Sequence, residues 1–157
     1  MYKANKVGIS FGLTSATITT LGLIMGLEAG TGSRLVVVAG ILTIAIADSF
    51  SDSLGVHIVK ESEGNFSNKE VWQATFFTFM YKLIFSLSFL IPILTLSAPW
   101  SILAAIVWGI VILVFLNYKI ARDNGQSALK MISEHLFISF VVIGLSWAAG
   151  HLIALLT

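Results

Sequence analysis

Asp48 and Asp52 stand four residues apart in "AIADSFSDSLGVHIVKESEG", directly after the apolar run "LVVVAGILTI". On a helix that spacing puts both carboxylates on one face. Two carboxylates a turn apart repel, so at least one needs a proton, a cation or a metal beside it. Other ionisable groups interrupt other apolar runs: Lys82 in "ATFFTFMYKLIFSLSF", and the neighbours Glu134 and His135 in "ALKMISEHLFISF". Carboxylate oxygen with imidazole nitrogen suits iron, manganese or zinc better than calcium or magnesium, and the lack of thiolate suits a site that binds and releases. Asp48, Asp52, Glu134 and His135 are therefore candidate ligands for a divalent cation. His57 points away from the Asp pair at about 100° per residue, but can join Glu61 four residues on. With Glu63 these two form a candidate entry for cations. Each group also has a plainer reading. Lys82 with Asp48 can be a structural ion pair, Asp52 with Glu134 and His135 a water-filled polar pocket, and Glu61 with Glu63 a solvated charge run.

The elements that carry these groups are apolar and long. The chain has 157 residues, 57% hydrophobic and 11% charged, with a mean hydropathy of +0.94. A soluble domain averages about 25% charged residues. The composition predicts an all-α integral membrane protein, in which residues 1–157 form a single domain. Five runs are long enough to cross a bilayer: Val7–Leu27, Leu35–Val59, Val71–Leu96, Pro99–Leu116 and Leu129–Leu156. No small-residue cleavage site follows the first, which is expected to be retained. Lys3, Lys6, Lys60, Lys69, Lys119, Arg122 and Lys130 all fall on one side of the five spans, and Arg34 on the other. That bias predicts a cytoplasmic N-terminus and, with an odd span count, a C-terminus outside.

At about 1.5 Å per residue, Asp52, Glu134 and His135 fall about 8–10 Å below the cytoplasmic ends of their spans, and Asp48 and Lys82 about 16 Å below. The first group is thus expected at one level and the second at another. Gly8 with Gly12, and Gly22 with Gly26, have the spacing that lets two helix backbones approach closely. Pro92 is expected to bend or end the third span, and Pro99 to start the fourth. Trp72 and Trp100 suit the two interfaces.

Several function classes are excluded or disfavoured. A net charge of +1 gives no signal for nucleic acid. The chain has no cysteine, hence no disulfide, thiolate metal site or Cys nucleophile. An intramembrane aspartyl protease needs its carboxylates on different helices around one water, whereas Asp48 and Asp52 share one. No His-Glu-x-x-His or serine-nucleophile motif occurs. The chain is read as no enzyme, with no cofactor.

The pattern resembles the vacuolar iron transporter family. "FGLTSATITTLGLIMGL" is similar to that family's first helix, "VVVAGILTIAIADSFSDSLGVHI" to its second, "LIPIL" to the end of its third, and "ALKMISEHLFISFVVIGLSWAAGHLI" to its fifth. The resemblance implies a homodimer of five-helix subunits with an ion path along the dimer interface. It implies exchange of iron(II) or manganese(II) for protons, moving metal out of the cytosol. The chain departs from the family at Phe11, where the family has Asp, at Asp52, where it has Met, and at Val56 and His57, where it has Glu and Tyr. "KESEGNFSNKE" replaces a long cytoplasmic metal-binding segment. The first expectation is therefore a secondary transporter for a divalent metal in the lipid bilayer. The competing one is a non-transporting membrane scaffold or regulatory subunit held together by its buried polar residues.

Overall fold

A computed structural model describes residues 3–156 of the chain, with side chains from residue 6 onward. The described residues form six helices: α1 (Lys3–Thr31), α2 (Arg34–Ser62), α3 (Asn68–Ser88), α4 (Leu90–Thr95), α5 (Trp100–Asp123) and α6 (Ala128–Leu156). With α3 and α4 counted as one span, five segments are long and apolar enough to cross a membrane. Most are longer than the apolar runs in the sequence, because their polar ends continue as helix. α5 in particular runs on to Asp123, seven residues beyond the expected end at Leu116, and only residues 124–127 connect it to α6.

The break in the third span follows from Pro92. A proline has no N–H for the carbonyl four residues back, and its ring collides with that carbonyl. That residue is Ser88, the last of α3. The freed end is tied off locally: Phe89 N–H donates to the Ser86 carbonyl at 3.3 Å, Ser88 Oγ to the Phe85 carbonyl, and Trp108 Nε1 to Ser88 Oγ at 2.9 Å. At the other end of α3, Ser67 and Glu70 form a reciprocal capping box. Gly32 and Ser33 alone separate α1 from α2. Gly32 takes φ +56°, a conformation strained for any residue with a side chain.

α1 is the hub. It packs against α2, α3, α5 and α6, whereas among the described residues the α2 backbone does not approach α6, and α3 meets α5 through the Trp108–Ser88 hydrogen bond rather than by backbone packing. Two glycine pairs bring its neighbours close. Near its start, a Cβ on Gly8 would lie 2.5 Å from the Ala74 carbonyl oxygen, and one on Gly12 2.8 Å from that of Thr78. Farther along, Gly22 and Gly26 face Val142 and Ser146 of α6, and the Gly150 backbone of α6 lies against Gly26 and Gly30. Contacts advance together along both pairs, so α1 runs parallel to α3 and to α6. The successive short connections bring the helix ends that carry Lys6, Lys60, Lys69, Lys119, Arg122 and Lys130 to one end of the bundle, with Arg34 at the other.

Without the backbone approach at Gly12, Ser15 one turn on would not meet α3. Gly12→Val is expected to destabilise the protein by about 1–3 kcal/mol or more, the usual cost of overpacking. Gly144→Ala, where an added Cβ meets nothing within 4 Å, serves as the control and should leave the melting temperature in detergent unchanged.

Candidate ion-binding cluster

Lys82 is the centre of the site. It belongs to the buried stripe of α3, with Val71, Ala74, Thr78 and Ser86, and its side chain is 0% exposed. The buried stripe of α2 runs through Ala45, Ser49 and Ser53. Asp48 and Asp52 each precede one of those serines, about 100° around the helix, and so stand at the edge of the buried face. From there both carboxylates reach Lys82. Its Nζ donates a short hydrogen bond to Asp52 Oδ2 and another to Ser15 Oγ at 2.7 Å. Ser15 in turn donates to Asp52 Oδ2 at 2.6 Å. Asp48 Oδ2 lies 2.6 Å from Nζ yet has no hydrogen-bond partner among the described residues: the direction is wrong for one, so charge alone holds it. α1, α2 and α3 thus each supply part of one polar cluster.

The two carboxylates are not sealed. Their side chains remain 26% and 22% exposed. Asp48, with Ser51, ends a shallow groove of about 670 Å³ between α1 and α2, floored by Ala39, Gly40, Thr43 and Ala47. The groove runs from Asp48 toward the end of α2 that carries Arg34. On the opposite side, about 7–8 Å farther along α2 from Asp52, His57 Nδ1 lies 2.9 Å from Thr75 Oγ1 and its ring meets Trp72 edge-on at 4.6 Å. These contacts join α2 to α3 between the cluster and the lysine-rich end.

The other candidates lie elsewhere. Glu134 is exposed on α6, and half-buried His135 donates from Nδ1 to the Met131 carbonyl of its own helix at 2.9 Å. Since α1 stands between α2 and α6, these two do not meet Asp48 and Asp52 within one chain. No group of three or more His, Asp or Glu suited to a metal forms among the described residues. A shared depth is not adjacency: within one chain Asp52 joins Lys82, and Glu134 and His135 stand apart from it. Glu63 pairs with Lys60 at 3.0 Å, Glu61 is exposed without an ion pair among the described residues, and His57 pairs with Thr75 rather than Glu61. Ser49 and Ser53 bond carbonyls of their own helix, not the carboxylates.

Ser15 was not among the sequence candidates. The only trace of it is the hydroxyl-rich run "LTSATITT", in which Thr17 and Thr19 spend their hydroxyls on their own helix. No family model matches the chain, and no curated protein matches it significantly.

Proposed function

We propose that the protein is a secondary transporter that exchanges a divalent metal for protons at the Asp48–Asp52–Lys82 cluster. The observation that carries this reading is a fully buried lysine held between two carboxylates midway along apolar helices. Ionisable groups at such depth are costly and mark ion or proton paths. With all three groups ionised the cluster carries one net negative charge. One added proton neutralises it. A divalent ion neutralises it equally when both that proton and the one on Lys82 leave. Two protons per metal ion therefore keep the charge constant in a medium that penalises any imbalance.

The donors within reach are oxygens: two carboxylates and the hydroxyls of Ser15 and Ser51. Of iron(II) and manganese(II), that set favours manganese. The groove beside Asp48 supplies access from the Arg34 end, and the His57–Thr75–Trp72 contact is the barrier that must open toward the lysine-rich end. The charge bias makes that end cytoplasmic, so export empties the site through the groove. The homodimer implied by the family resemblance is part of the proposal. α2 and α6 keep the most outward surface for a second copy.

A second reading has the same contacts in its favour: the cluster is a structural lock inside a scaffold. Proteoliposomes containing a pH-sensitive dye separate the two. An imposed manganese gradient is expected to drive protons in the opposite direction at a rate set by the protein. A lock gives neither metal uptake nor proton movement.

A further inference from the structure

We infer that the cleft between α3 and α5 at the lysine-rich end is a binding site for one anionic phospholipid. The α3 and α5 backbones do not pack against each other, their link being the Trp108–Ser88 hydrogen bond toward the far end, and α1 forms the floor between them. The cleft measures about 1000 Å³, the upper end of the range for ligand pockets, about 300–1000 Å³. Its walls are apolar and aromatic, including Phe11, Phe85, Trp108 and Phe115. Phe115 on the lip is 70% exposed and Phe11 on the floor 43%, so the trough opens sideways to where acyl chains lie.

Its mouth is cationic. Lys6, Lys60 and Lys119 line it, against the single carboxylate of Asp123. Lys6 is taken by Asp123 at 2.8 Å, and Lys60 by Glu63 and the Phe66 ring. Lys119 donates no hydrogen bond among the described residues and is exposed. An acyl trough ending in excess positive charge at the interface matches a lipid with a negative head group. A second copy of this chain fits worse. Two copies with the same orientation in a membrane bring lysine-rich end to lysine-rich end, and a partner inserted there adds like charge.

The test is native mass spectrometry of the purified chain after exposure to phosphatidylglycerol or phosphatidylcholine in neutral detergent. The expected result is one phosphatidylglycerol retained per chain and phosphatidylcholine lost. Lys119→Gln should weaken retention of phosphatidylglycerol about fivefold, the weight of one interfacial lysine. Val111→Trp, a 51% exposed position on the cleft wall, should abolish retention by filling the trough. Both variants should keep the wild-type melting temperature in lipid-free detergent. Equal retention of the two lipids overturns the site. So does undiminished retention in both variants, or a Val111→Trp protein whose only change is loss of a dimer.

Discussion

Lys82→Met should cost the protein about 3–5 kcal/mol, the usual effect of removing one partner from a buried charge pair. The residue is completely enclosed, so methionine fills its volume, and the loss is electrostatic. Asp48 and Asp52 are left a helical turn apart, with no cation between them. The compensating experiment gives the prediction its force. Adding Asp48→Asn and Asp52→Asn to Lys82→Met removes every charge while keeping shape, and most of the lost stability should return. Asp52→Asn alone is expected to be milder than Lys82→Met, because an amide in that place still accepts from Ser15. A thermal melt of the four proteins in one detergent reads the series. Equal destabilisation in the single Lys82 variant and the triple variant would mean that packing, not charge, holds α2 to α3 here.

Asp52→Asn should reduce metal-driven flux by about a hundredfold or more, since even supporting groups around a metal cost 10–100-fold when lost. The variant keeps its volume and its contact with Ser15, so a folded protein that no longer moves metal is the expected outcome. Asp48→Asn should behave similarly. It removes a carboxylate that no hydrogen bond holds among the described residues and that is therefore freer to turn toward an ion. Glu134→Gln is the informative contrast. Its position on α6, across α1 from the cluster, predicts flux near wild type when the pathway lies within α1, α2 and α3. A severe loss in Glu134→Gln would instead place α6 on the route, as a second copy of the chain could arrange.

The sequence revealed the helices well and their neighbours poorly. Apolar run length located all five spans, because twenty-odd apolar residues have few alternatives in a bilayer. The break at Ser88 and the glycine-lined crossings were legible because proline and glycine act on backbone within a few residues of themselves. Which groups would meet was only partly legible. Depth along a helix follows from counting, so Lys82 could be set level with Asp48. Counting says nothing about which helix stands beside which. That α1 separates α2 from α6 is decided by Gly22, Gly26 and Gly150 drawing α6 onto α1, and within one chain it keeps Glu134 and His135 away from the cluster. Ser15 was hidden for a related reason. A serine in a membrane helix usually bonds its own backbone, and only the approach of α3 at Gly12 turns this one to Lys82.

The central claim is that metal and protons compete for Asp48, Asp52 and Lys82. Proton release on metal binding tests it most directly. Manganese(II) is added to the detergent-solubilised protein in weakly buffered solution, and the pH change is titrated back. The charge balance of the cluster predicts about two protons released per ion bound, and none from the Asp48→Asn, Asp52→Asn double variant. Metal binding without proton release, or release that persists in the double variant, would contradict it.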